Sequence, residues 1–135
     1  MRLKGFQQAM KNAKVSVPNE YIRLFENTQE HAMQATRELL SLPKPPTAIF
    51  AAADIQALSA LKVTREMGIK VPEQLAVVGF DDIGSAEFMD LTTVSQHLNE
   101  SGKLAVEILL AHIADPSRPP QHVNIPLNLI ERQTT

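Results

Sequence analysis

Short, uninterrupted apolar runs alternate along this chain with longer segments in which apolar residues recur every three or four positions. The runs at residues 47–53 (TAIFAAA) and 75–80 (LAVVGF) are typical of strands buried on both faces of a parallel sheet. Amphipathic patterns predict four helices, at residues 3–13, 29–42, 55–67 and 98–114. Shorter alternating patterns predict strands at residues 21–25, 92–96 and 122–130, the last at a sheet edge because it contains Pro126.

The predicted helices have recognisable ends. Asn27 and Glu30 have the spacing of a capping box, so we expect Asn27 to cap the second helix. Asp54 is expected to cap the third helix, which should end at Gly68.

This alternation of helices and strands predicts an α/β protein. Crossover connections of this kind produce a mainly parallel sheet in a three-layer α/β/α sandwich. Ligands of such sheets bind at the carboxyl ends of the strands. Two places qualify here, namely Ala53 with Asp54 after the first apolar run and Asp81 with Asp82 after the second.

Composition narrows the classes of function. Hydrophobic residues make up 44% and charged residues 21% of the 135 positions, which is typical of a globular domain. The formal net charge is -2, so the chain alone is expected to bind DNA weakly at best. Cysteine is absent, which excludes disulfides and thiolate metal sites and fits a reducing cytoplasm.

Sequence motifs of enzymes, metal sites and membrane proteins are also missing. The four histidines lack metal-ligand spacing, and neither a phosphate loop nor a nucleophile elbow is present. We therefore expect no metal, no cofactor and no enzymatic activity. A phosphoacceptor site built on Asp81 and Asp82 is an alternative, but the further acidic residues and lysine it needs are not visible. The start of the chain lacks the apolar region of a signal peptide, and no run is long enough to span a membrane.

Several motifs, taken in order, resemble the LacI/GalR family of regulators. They are RLKGF at residues 2–6, TAIFAAADIQALSAL at 47–61, VPEQLAVVGFDD at 71–82, LTTVSQ at 91–96 and the terminal PLNLIERQTT. Together they cover nearly the whole chain. The resemblance implies a periplasmic-binding-protein-like (type I) C-terminal lobe that is incomplete.

The resemblance further implies a function. The chain would be the effector-sensing, dimerising portion of a bacterial LacI-type transcription regulator in the cytoplasm. A small molecule, expected to be a sugar, would control DNA binding by a helix-turn-helix domain that this chain lacks. The protein would be a homodimer without membrane contact. An alternative is a fragment of a periplasmic-type sugar-binding transport protein.

Within residues 1–135, the resemblance implies that residues 91–115 pack as an element of the N-terminal lobe and that residues 121–135 return as a strand. Family members also have an apolar strand directly before the helix that carries the RLKGF motif. Without it the sheet would keep unpaired backbone groups, so we expect the chain alone to be poorly stable or self-associated.

The resemblance carries an effector-binding role onto Arg2 and Asp81, because a guanidinium and a carboxylate suit polar ligands. Phe80 would be a stacking surface or a core residue. Ala53 stands where many family members have a ligand-binding asparagine, so either the usual contacts to sugar hydroxyls are absent or the preference shifts toward a less polar ligand face. Asp54 is a further candidate contact beside its expected capping role, whereas we interpret Asp82 as a turn residue.

Overall fold

A computed structural model describes residues 2–135 of the chain. Five helices and four short strands form, joined by loops and a 3₁₀ turn at Asn19–Tyr21. The helices are α1 (Arg2–Asn12), α2 (Gln29–Leu40), α3 (Asp54–Glu66), α4 (Gly84–Phe88) and α5 (Leu98–Ala114). The strands are β1 (Ala48–Phe50), β2 (Ala76–Val78), β3 (Thr93–Ser95) and β4 (Asn128–Ile130).

The strands lie side by side in chain order. β1 pairs in parallel with β2, Ile49 opposite Val77. Single parallel bridges, Val78 to Thr92 and Asp81 to Ser95, place β3 beside β2. β4 then pairs antiparallel with β3. The predicted α/β class with a mainly parallel sheet is confirmed, and the final strand is the antiparallel exception.

The core is aliphatic, as the low aromatic content of the sequence requires. Helix α3 packs against α2 and β2. Ala57 and Ala60 on α3 are almost completely buried, and such small side chains let a helix approach its neighbours closely. The same cluster is completed by Ala51, Leu61, Leu75, Val77, Ala86 and Leu91. No helix within residues 2–135 has the length and apolar character needed to cross a membrane.

A cavity of about 480 Å³ lies beside the outer edge of β1, between α1, α2 and the segment after the 3₁₀ turn. Phe6 of α1 stacks on Phe50 there, with ring centroids 5.8 Å apart. The register of the parallel pair turns the backbone groups of Ala48 and Phe50 away from β2, toward this cavity. The outer edge of β1 is therefore unpaired in the described part of the chain.

The prediction of a strand at residues 21–25 is wrong. The chain instead leaves the 3₁₀ turn at Ile22 and continues irregularly along the cavity. A strand needs a neighbour to accept its backbone hydrogen bonds, and none lies against this segment within residues 2–135. Leu24 consequently remains 80% exposed.

Helix ends and strand lengths differ from prediction in detail. Thr28, rather than Asn27, caps α2, since its hydroxyl accepts a hydrogen bond from the His31 amide at 3.2 Å. Asn27 accepts one from the Gln56 side chain instead. The predicted helix at residues 98–114 is confirmed at both ends. Each strand is only three residues long, and β4 does not begin until Asn128 because β3 offers only three residues for pairing.

Candidate functional site

Arg2 and Asp81 lie in direct contact although 79 positions separate them. Arg2 starts α1, and its Nη2 donates to Asp81 Oδ1 at 2.8 Å. Its Nη1 donates to the carbonyl oxygen of Ala52, just beyond β1. The guanidinium lies over the Phe80 ring, 4.1 Å from the centroid, which is favourable cation–π geometry. The start of α1 is thus joined to the carboxyl ends of two parallel strands.

Gln96 is a third member of this cluster, and sequence reasoning did not identify it. Its Nε2 donates to Asp81 Oδ1 at 2.6 Å, so one carboxylate oxygen receives two donors. Among the described residues Oδ2 of Asp81 has no hydrogen-bond partner, and the side chain is 23% exposed. Gln96 follows β3 directly, so its position at the carboxyl end of a predicted strand was the available clue.

The turn that carries Asp81 has unusual backbone geometry. Asp81 has φ 125° and Asp82 has φ 57°, both in the positive region that favours glycine. The Asp81 amide donates to the Val94 carbonyl at 3.0 Å. Asp82 Oδ1 accepts from Arg132 Nη2 at 2.9 Å. The two neighbouring carboxylates therefore point to different arginines, and Asp82 has a structural partner of its own.

Asp54 does not have the capping role that the sequence predicted. The helix starts one residue earlier than expected, and the capping position falls on Ala53. The Asp54 side chain is fully buried, accepting from the Ile83 amide at 2.9 Å and from the Thr93 hydroxyl at 2.5 Å. Both oxygens are occupied, so direct contact with a ligand is not supported. Gly79 leaves the required space, because a Cβ there would overlap Asp54 Oδ1.

The remaining two candidates, Ala53 and Phe80, are apolar. Ala53 is buried and presents only a methyl group, so it offers no hydrogen bond to a ligand. Phe80 is half-buried and packs against the Arg2 guanidinium, so part of its ring is in contact with protein and part remains exposed.

Asp81 also borders a second concavity of about 440 Å³, between its turn and the start of α5. His97 and Glu100 line the opposite wall of this cleft. Across residues 2–135, no group of three or more acidic, histidine or cysteine side chains is arranged to hold a metal ion.

Comparisons with known proteins agree with this architecture. Residues 1–135 match the family described as periplasmic binding protein-like domain. The HTH-type transcriptional repressor PurR of Escherichia coli is 35% identical over 98% of this chain, which spans 40% of that relative. The chain thus covers less than half the length of the curated relatives it matches.

Solved structures of regulators share the fold. A LacI-type transcriptional regulator from Bacillus cereus subsp. cytotoxis superposes with a TM-score of 0.91 and 32% identity, over 99% of this chain and 48% of its own. A complex of the transcriptional regulator CelR with cellobiose superposes with a TM-score of 0.88 and 31% identity, over 99% of this chain and 42% of its own. A LacI family regulator from Enterococcus faecium with bound ribose superposes with a TM-score of 0.88 and 27% identity, over 99% of this chain and 50% of its own.

Proposed function

Because this chain belongs to the family of periplasmic binding protein-like domains, and among them to the LacI-type regulators, we propose that it senses a small-molecule effector, most simply a sugar. In the complete regulator, effector binding would control the affinity of a helix-turn-helix domain for operator DNA. The observation that carries the proposal is the cluster of Arg2, Phe80, Asp81 and Gln96 at the carboxyl ends of the strands.

The chemistry of this cluster suits a polyhydroxylated ligand. A sugar hydroxyl both donates and accepts a hydrogen bond, so it can engage a guanidinium and a carboxylate together. Arg2 supplies the donors, and Asp81 Oδ2 is left to accept. Gln96 and Arg2 hold the other oxygen, so the carboxylate is oriented before a ligand arrives. Phe80 adds apolar surface beside the guanidinium that lies over its ring, and this surface would contact ring carbons of the ligand.

Sensing requires that the effector bind one conformation of the regulator more tightly than another. We propose that residues 91–115 pack against an N-terminal lobe, with residues 121–135 returning as a strand, so that the cluster faces an interlobe cleft. The surface of α5 supports this arrangement, since none of its residues is buried. Its exposed apolar side chains are Leu98, Val106, Leu109, Leu110 and Ile113. Homodimerisation and a cytoplasmic location belong to the same proposal.

The alternative of a transport protein is not favoured, because the relatives and structural neighbours named above are transcription regulators. The same relatives give no support to an enzymatic role.

Isothermal titration calorimetry of the full-length gene product with a panel of sugars, including ribose and cellobiose, and purine bases tests the proposal. Charged hydrogen bonds contribute about 1.5–3 kcal/mol each, so Arg2→Ala or Asp81→Ala should weaken binding by about ten- to a hundredfold. Arg118→Ala is the matched control, since Arg118 is an exposed arginine that pairs only locally with Asp115. Unchanged affinity in both site variants would contradict the proposed pocket.

A further inference from the structure

The turn at Asp81 and Asp82 needs an external restraint. Two consecutive non-glycine residues with positive φ are costly, and such geometry persists only where the surroundings enforce it. The Asp81 amide has one fixed partner, the Val94 carbonyl. The following residue, Ile83, is fixed by its bond to Asp54. Asp82 lies between these two points, and its side chain is held from the far end of the chain.

Arg132, just after β4, supplies that restraint. Its Nη2 donates to Asp82 Oδ1 at 2.9 Å and its Nη1 donates to the Leu91 carbonyl at 2.8 Å. Its own amide donates to the Thr92 hydroxyl at 2.9 Å. The side chain is only 16% exposed. The Arg132 guanidinium therefore links the turn after β2 to the segment before β3 by two hydrogen bonds.

We infer that Arg132 is a positioning residue for Asp81, acting through Asp82. Arg132 makes no hydrogen bond or ion pair with Asp81 among the described contacts. By fixing Asp82 in the left-handed region, it fixes the direction in which the preceding residue presents its carboxylate. Asp81 then faces Arg2 and Gln96. That the oriented Asp81 contacts an effector rests on the proposed function. That Arg132 orients Asp81 does not depend on it.

The planar fork of arginine matters here. Two of its nitrogens reach two acceptors on different segments, which a single ammonium group cannot reproduce in the same geometry. Arg132→Lys should therefore keep the charge but lose one of the two anchors. Asp82→Asn retains a residue type that tolerates positive φ and removes the carboxylate that Arg132 holds.

The Gln96 side-chain amide reports on Asp81 directly, because its Nε2 donates to Asp81 Oδ1. We would record its ¹H–¹⁵N resonances in the ligand-free chain for Arg132→Lys, Arg132→Gln, Asp82→Asn and Asp81→Asn. The first three variants should shift these resonances toward their positions in Asp81→Asn. Arg118→Lys, at an exposed arginine paired with Asp115, should leave them unchanged.

A role in stability alone would lower the urea midpoint of the Arg132 variants without moving the Gln96 resonances. Gln96 signals that coincide with those of the unmodified chain in Arg132→Lys and Asp82→Asn would overturn the inference. If Arg132→Gln fails to fold, the two milder variants decide the question. Since no ligand is added, this result is independent of whether the calorimetric test of effector binding succeeds.

Discussion

Replacing Asp54 with alanine should destabilise the fold far more than replacing an average surface residue. The carboxylate is fully buried and accepts from the Ile83 amide and the Thr93 hydroxyl. It thereby joins the start of α3 to the loop before α4 and to β3. Alanine would leave both donors without acceptors in a space that the carboxylate had filled.

The expected loss follows from these two bonds. Hydrogen bonds to charged groups contribute about 1.5–3 kcal/mol each, so the loss of two such bonds in Asp54→Ala should cost about 3–6 kcal/mol. Domains of this size are stable by only about 5–15 kcal/mol, so the variant would lose a large part of its stability. Urea unfolding followed by circular dichroism measures the change as a lower midpoint with an unchanged slope.

Two further variants make the measurement specific. Thr93→Val removes only one donor and should cost less than Asp54→Ala. Because both changes remove the same hydrogen bond between Thr93 and Asp54, the double variant should lose less stability than the sum of the two single losses. Asp115→Ala also removes an acceptor of two hydrogen bonds, but it is exposed and bonds only locally to Ser117, so it should lower the midpoint far less. A loss below about 1 kcal/mol for Asp54→Ala, the average effect of a single neutral hydrogen bond, would refute the reasoning.

Two other predictions concern packing. Gly79→Ala should destabilise by about 1–3 kcal/mol, because its Cβ would overlap Asp54 and lie 3.0 Å from a Leu91 methyl carbon. Gly102→Ala lies within α5, where the new Cβ would meet no atom within 4 Å beyond its own helical backbone, so it should instead stabilise by about 0.5–1 kcal/mol in the same urea assay. The unpaired edge of β1 and the exposed apolar side chains of α5 predict self-association of the isolated chain. Light scattering coupled to size exclusion would contradict this by finding a stable monomer.

Local patterns predicted the helices better than the strands. The helix at residues 98–114 needs only its own backbone bonds, and its predicted limits coincide with those observed. A strand exists only where a neighbour pairs with it, so the apolar runs became three-residue strands. The alternating pattern at residues 21–25 had no such neighbour and formed no strand.

The candidate site was only partly predictable. Arg2 and Asp81 were identified through the family motifs, and the contact between them required the folded chain. Gln96 and Arg132 act across 15 and 50 positions of sequence, and no periodicity encodes such pairings. Asp54 was misassigned because an aspartate before a helix suggests a local cap, whereas its true partners come from two distant segments.

The ion pair between Arg2 and Asp81 has a consequence for selectivity against common solutes. An arginine that already faces a carboxylate offers little gain to chloride or another simple anion, which would have to displace Asp81 and leave its charge uncompensated. A simple cation that bound Asp81 would likewise have to displace Arg2 and leave the charge of the guanidinium uncompensated. The proposed effector would present donor and acceptor groups side by side and so could satisfy both partners, which would favour it over the salts of the surrounding solution.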